Sequence, residues 1–184
     1  MLHHLPWKQA DRRGYASFVS AQPHYNMFER SVEAELLPAC AQFGVGVIPY
    51  FALASGLLTG KYRAGAPIPE GTRYHSNERL QGQLTDERLG QVARLEEIAR
   101  AHNKTVGQLA IAWLLARPEV CSVIAGATRP EQVEENAGAA GWDLDVATLD
   151  KIGGILGSCI RMVVCGCVEG TVRGKGHFPS GQGR

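Results

Sequence analysis

The chain has 184 residues, with 19 Lys and Arg against 18 Asp and Glu for a formal net charge of +1, and it is 45% hydrophobic and 20% charged. That balance suits one ordinary globular domain and leaves little room for two. It excludes the basic excess of a general nucleic-acid binder, and no apolar run of about 18 residues suggests a membrane span.

The start, MLHHLPWKQADRRGY, lacks the apolar stretch of a secretory signal, so a cytoplasmic location is expected. Cys40 and Cys121 sit in apolar surroundings and read as buried small hydrophobes. Cys159, Cys165 and Cys167 lie in the C-terminal segment, and an odd total of five is poor material for a disulfide framework.

In chain order, residues 1–15 are irregular. Residues 16–22 (ASFVSAQ) form a short apolar run of strand type. From Ser31 the segment SVEAELLPACAQFG places Val32, Leu36, Leu37 and Cys40 at helical intervals and stops at Gly44. Residues 45–50 (VGVIPY) read as a strand buried on both faces. A long loop rich in Gly and Pro follows, from Gly56 to Gly71. Thr85 opens a helix carrying Leu89, Val92, Leu95, Ile98 and Ala99. Thr105 and Gln108 form a capping box for the next helix, which runs to Pro118. Residues 121–125 (CSVIA) are a third buried strand. Thr128 and Glu131 form a second capping box, with Pro130 in the first turn. A last amphipathic helix covers Val146–Leu156. Residues 158–184, rich in glycine and almost free of acids, read as a flexible tail.

Apolar strands alternating with helices signal parallel βαβ units. Doubly wound sheets and eight-stranded barrels both use them, and a complete barrel needs about 250 residues. In either, ligands bind at the carboxyl ends of the strands. Three segments qualify. Gln22-Pro-His24-Tyr25-Asn26 follows the first strand. Tyr50 to Lys61 combines glycines, the Ser55 hydroxyl and a cation. Gly126 to Asn136 offers a helix start suited to phosphate. For the last, a simple N-cap role for Thr128 is the other reading, and the two are compatible.

Together the stretches FVSAQPHYNMFER, GVGVIPYFALASGLLTGKYR, TVGQLAIAWLLARP and SVIAGATRPEQVEEN resemble the aldo-keto reductase superfamily, nearest to bacterial reductases that also resemble potassium-channel β-subunits. The resemblance runs from about Ala16 to Leu156. It implies an α/β fold, a partial (β/α)8 TIM barrel holding about strands six to eight over residues 16–157. It also implies an NADP(H)-dependent oxidoreductase that reduces a small aldehyde or ketone by hydride transfer. Carried over residue by residue, Gln22 would bond the nicotinamide carboxamide and Tyr50 would stack on its ring. Leu53, Ser55, Gly56 and Leu57 would line the pyrophosphate, with Lys61 nearby, and Arg73 would lie against the adenosine end. Thr128 and Gln132 would meet the 2′-phosphate, and Glu135 and Asn136 the adenine.

Two departures stand out. Phe51 and Ala52 follow Tyr50 where the family often has Ser-Pro. The family's catalytic Asp, Tyr, Lys and His come from the first four strands, which this chain does not carry. His24, Tyr25 and Tyr50 are the remaining acids near strand ends, and the motif gives His24 no proton-donor role. No catalytic residue is therefore assigned, and the chain alone is expected to be inactive, as a truncated or frame-disrupted reading of a longer gene would be. The alternative is a nucleotide-binding regulatory protein without turnover. No metal site is expected, since Cys159, Cys165, Cys167 and His177 are a loose set. Open sheet edges point to a homo-oligomer or an aggregation-prone monomer.

Overall fold

The computed structural model describes residues 13–157. Three short extended segments lie side by side and parallel. Strand β1 (Ser20–Ala21) pairs with β2 (Gly46–Val47), Ser20 against Gly46 and Ala21 against Val47. A parallel bridge from Val47 to Val120 lines up the third segment on the other side. The main chain of β2 and its continuation bonds both neighbours. Gly46, Ile48 and Tyr50 donate to Val19, Ala21 and Pro23 at 3.0, 2.9 and 3.0 Å, and Val47 donates to Glu119 at 2.7 Å. Cys121 and Ile124 donate back to Val47 and Pro49 at 3.0 and 2.9 Å. The regular pairing is a two-stranded sheet, and Pro49, which faces the third segment, supplies no N–H to it.

Burial corrects two expectations. Residues 45–50 alternate rather than being buried throughout, with Val45, Val47 and Pro49 inside, Gly46 and Ile48 half-buried and Tyr50 exposed. The third segment is not buried either. Cys121 is exposed and Ile124 is 42% exposed, while Cys40 is buried as expected. The reason is the same in both places. Helices of this chain pack on one side of the extended segments, and no described residue covers the other.

The helices follow their sequence signals closely. The segment from Ser31 breaks into a 3-10 turn, Ser31–Glu33, and helix α1 (Leu36–Phe43), because Pro38 belongs in a first turn, where its missing N–H costs nothing. Helix α1 ends on Gly44 at φ 64°, a left-handed cap that favours glycine. The expected long loop is partly ordered. A 3-10 segment, Ala54–Thr59, opens it, and two one-turn helices, α2 (Arg73–Ser76) and α3 (Glu78–Gln81), follow it. Helix α4 (Asp86–Ala101) is capped by the Thr85 side chain, and α5 (Val106–Leu115) has the complete Thr105–Gln108 capping box. Helices α6 (Pro130–Ala137) and α7 (Val146–Leu156) complete the described chain. The second capping box does not form. Arg129 is the N-cap of α6, and Thr128 sits one residue too early, its N–H and Oγ1 both held by Gln132 Oε1 at 2.7 and 3.1 Å.

Helix α5 is the centre of the core, with Leu109, Trp113 and Leu114 fully buried among Leu58, Leu95 and Val47. Beside it lies a charged cluster. Glu33 accepts from Arg30 at 2.9 and 2.6 Å and from the Tyr25 hydroxyl at 2.7 Å, and Arg117 stands 3.7 Å away. The two guanidinium groups lie against the Trp113 ring, 5.5 and 4.6 Å from its centroid. Burial works to raise the pKa of Glu33, but the bonds from Arg30 and Tyr25 and the charge of Arg117 outweigh it and hold the carboxyl below its usual range. A depressed folded-state pKa stabilises the fold above the unfolded value and loses that contribution as the pH falls through the folded value. Glu33→Gln is therefore expected to flatten acid destabilisation. Glu33→Ala, which strands two partly buried cations, should cost on the order of 3 kcal/mol at neutral pH. Urea titrations between pH 3 and 7 measure both, and parallel pH profiles for wild type and Glu33→Gln would overturn the assignment.

Candidate functional site

The end of β2 and the turn after β1 are fastened together by Asn26, a polar side chain only 2% exposed. Its Oδ1 accepts from the Phe28 and Glu29 amides at 2.9 and 3.0 Å, and its Nδ2 donates to the Phe51 carbonyl at 3.0 Å. That last bond holds Phe51 at φ 56°, where a bulky residue is strained. Ala54 (φ 47°), Ser55 (φ 57°) and Gly56 (φ 100°) continue in the left-handed region. Leu53 precedes them at φ −95° and ψ 19°. Of the three left-handed amides, those of Ala54 and Gly56 are bonded to the Phe51 and Leu53 carbonyls, both at 2.8 Å, and that of Ser55 has no partner among the described residues.

Two tyrosines back this loop. Tyr74, fully buried, donates to the Ala54 carbonyl at 3.1 Å and packs edge-on to Tyr62 at 4.9 Å, and burial pushes its pKa up. Gly56 leaves room for Lys61, since a Cβ there would lie 3.2 Å from Nζ and 3.8 Å from the Tyr62 hydroxyl. Lys61 is exposed, and no carboxylate of a described residue pairs with it. The free Ser55 amide and the Lys61 ammonium, which lies over the Tyr62 ring at 5.2 Å, are groups suited to phosphate oxygens.

Tyr50 stands at the head of the loop, 37% exposed, with the His24 ring stacked on it at 5.4 Å and 22°. Its remaining surface is open to a flat ligand. The expected site residues thus fall into groups. Leu53, Ser55, Gly56, Leu57 and Lys61 share one loop directly after Tyr50, with Leu57 buried as a packing residue. Arg73 reaches from α2 to within 3.9 Å of a Cβ position on Gly126, tying this loop to the third extended segment. Thr128 and Gln132 bond each other, so they form one unit. Glu135 is brought toward the loop through α5, where a Cβ on Gly107 would sit 3.8 Å from the Leu58 carbonyl and 3.9 Å from Glu135 Oε1. Asn136 is half-buried on α6, and Gln22 is exposed just past β1. Sequence reasoning placed Asn26 in a candidate segment without this clamping role, and it missed Tyr62 and Tyr74. The Asn26 spacing to Phe28 and Glu29, an Asx turn, was the available signal for that role.

Among the described residues no helix is long and apolar enough to cross a membrane, and no cluster of metal-ligating side chains occurs. The Cys159, Cys165, Cys167 and His177 set lies outside the described residues.

The Aldo/keto reductase family matches residues 6–156, which takes in part of the N-terminal stretch that the motifs above leave out. A probable voltage-gated potassium channel subunit beta from Arabidopsis thaliana is 43% identical over 134 residues, covering 71% of this chain and 40% of that protein. The L-glyceraldehyde 3-phosphate reductase of Escherichia coli K12 is 40% identical over 124 residues, 64% of this chain and 35% of that protein. An NADP(+)-designated aldo-keto reductase of Schizosaccharomyces pombe is 36% identical over 146 residues, 77% of this chain and 43% of that protein. Among solved structures, a glycerol dehydrogenase from Gluconobacter oxydans matches with a TM-score of 0.69 at 28% identity, over 83% of this chain and 47% of that one. The chain spans less than half the length of each of these proteins.

The left-handed loop makes a clear prediction. Gly56→Ala should cost about 1–2 kcal/mol from backbone strain and displace the Lys61 ammonium. Gly90→Ala, on an open face of α4, should be neutral or stabilising by up to about 1 kcal/mol. Denaturant midpoints compare the two, and equal effects would mean that Gly56 is not conformationally required.

Proposed function

We propose that this chain, which belongs to the aldo/keto reductase family, is the NADP(H)-binding portion of a carbonyl reductase. In that reading the three parallel segments correspond to barrel strands six, seven and eight. The observation that carries it is the Tyr50–Lys61 unit, an exposed aromatic ring followed directly by a strained turn with a free Ser55 amide and a Lys61 ammonium that has no carboxylate partner among the described residues. The cofactor, when bound, supplies hydride to an aldehyde or ketone.

Each residue has work suited to its chemistry. Gln22 bonds the carboxamide, an amide to an amide, and Tyr50 receives the nicotinamide on the surface that His24 leaves free. The main chain of Leu53, Ser55, Gly56 and Leu57 lines the pyrophosphate, with Lys61 neutralising it. Arg73 flanks the adenosine end. The Thr128–Gln132 pair meets the 2′-phosphate, and Glu135 and Asn136 the adenine. A relative designated for NADP(+) supports this choice of cofactor.

The same geometry separates binding from turnover. Tyr25 is buried with its proton committed to Glu33 at 2.7 Å, and burial pushes its pKa up, so it cannot serve as the acid. His24 is stacked on Tyr50 and meets Phe51 edge-on. General acid catalysis contributes typically about 10²–10⁴-fold, and in this reading the donor comes from the strands this chain does not carry. Phe18 and Val19, 55% and 79% exposed beside β1, are apolar groups that a second copy would cover. The alternative, a nucleotide-binding regulatory subunit, draws on relatives named as potassium channel β-subunits.

Nicotinamide fluorescence tests the assignment. NADPH should bind the 184-residue chain, Tyr50→Ala should weaken it about tenfold or more, and NADPH should not be consumed when nitrobenzaldehyde is added. No binding at millimolar NADPH would remove both readings. Per-second turnover abolished by Tyr50→Ala would show that the chain assembles its own proton donor. Submicromolar binding without turnover would favour the regulatory reading.

A further inference from the structure

Behind the Tyr50–Gly56 loop, on the side of His24, lies an open cleft of about 550 Å³, within the usual range for small-ligand sites. Its walls come from the turn after β1, from the left-handed loop, and from helices α2, α3 and α4. Two guanidinium groups line it, Arg73 from α2 and Arg88 from the first turn of α4. Among the described residues neither has a carboxylate within 4.0 Å, unlike Arg30, Arg63, Arg100 and Arg117, which all do.

The one acid in the lining is Glu29. Its Oε1 is taken up by the Ser31 amide and hydroxyl at 3.2 and 2.5 Å, which, with smaller contributions from His24 and Arg88, hold its carboxyl below the usual range. The balance facing the cleft is therefore two cations against one carboxylate already hydrogen-bonded. Arg88 is also fixed in place. It lies over the Phe28 ring, 5.4 Å from its centroid, which leaves its outer N–H groups for a ligand. Phe28 and Phe51 give the cleft an apolar wall, while Ser55 and Gln83 add side-chain polar groups that no hydrogen bond among the described residues engages.

We propose that this cleft binds a small organic phosphate monoester through Arg73 and Arg88. A carboxylate is satisfied by one guanidinium fork. A phosphate dianion carries three terminal oxygens and twice the charge, and so suits two forks from different helices. The lining suits a short phosphorylated polyol whose carbon chain lies on Phe28 and Phe51 and whose hydroxyls meet Ser55 and Gln83. Thr128 and Gln132, proposed above for the cofactor 2′-phosphate, are not part of its lining. Arg73 stands at the boundary of both sites, while Arg88 belongs to the cleft alone.

The test uses the 184-residue chain and isothermal titration with glycerol 3-phosphate, glycerol and 2′,5′-ADP. Glycerol 3-phosphate should bind, glycerol should not, and added NaCl should weaken the binding. Arg88→Leu should weaken glycerol 3-phosphate about tenfold or more and leave 2′,5′-ADP unchanged. Phe28→Ala, which removes the ring beneath Arg88 and keeps both charges, should weaken it less. Circular dichroism checks that each variant is folded. The proposal fails if glycerol 3-phosphate binds no better than glycerol. It also fails if Arg88→Leu has no effect, or if it weakens 2′,5′-ADP equally, because the cleft would then be part of the nucleotide site. Loss of NADPH binding with glycerol 3-phosphate binding intact would instead overturn the cofactor reading and leave this one standing.

Discussion

The main chain of residues 46–50 is the constraint on which the rest depends. It bonds the segment before it in space through Gly46, Ile48 and Tyr50, and the segment after it through Val47 and Pro49. Each of its neighbours leads into a turn that carries candidate site residues. If β2 moved, His24, Tyr50 and Gly126 would lose their common frame. Gly46 is part of this arrangement, because a Cβ there would lie 2.9 Å from Cys121 Sγ. The glycine leaves space for the Cys121 side chain beside the Val47–Glu119 bond.

Strain is the second organising feature. Phe51, Ala54 and Ser55 all occupy left-handed conformations that cost non-glycine residues roughly 1–2 kcal/mol each. Such conformations persist only where the surroundings over-determine them. Here Asn26 holds the Phe51 carbonyl, Tyr74 holds the Ala54 carbonyl, and buried Leu57 and Leu58 anchor the loop into the core. Phe51, the departure from the family pattern, does not close the loop. Its ring turns toward His24 and becomes part of the wall of the Arg73–Arg88 cleft.

Much of the helical fold was legible in residue types. Thr85, Thr105 and Asp145 each cap a helix as their side chains allow, and Gly44 and Gly157 end helices in left-handed conformations. These signals are local, so the sequence displays them directly. The exposure of Cys121 and Ile124 was not legible, because an apolar strand announces that it can be buried and says nothing of what covers it. Thr128 illustrates a competition. The Thr128–Glu131 spacing suited a capping box, but Gln132 reaches back to the Thr128 amide and moves the cap to Arg129. For the candidate site, the Gly, Ser and Lys of the loop could be read from sequence. The supports could not, since Asn26 meets Phe51 across 25 positions and Tyr74 meets Ala54 across 20.

The position of α6 shows how the two ends of the candidate cofactor site can keep a fixed spacing without direct contact. Gln108 uses its Oε1 to accept from the Thr105 amide and its Nε2 to donate to the Glu135 carbonyl, so one side chain both starts α5 and docks α6 on it. Lys104 adds a bond to the Gly138 carbonyl at 2.9 Å. Gly138 is needed there, since a Cβ would come 2.5 Å from Gln108 Nε2. Helix α5 in turn packs against the 3-10 segment that carries Ser55 to Thr59. The span from the loop to the Thr128–Gln132 pair is thus set by the buried body of α5, which brings its own core contacts through Leu109, Trp113 and Leu114. A ligand lying across that span would meet groups already held in place, so little ordering cost would remain for binding to offset. The sheet edges stay open while this path is complete, so the supports of the loop do not depend on how those edges are covered.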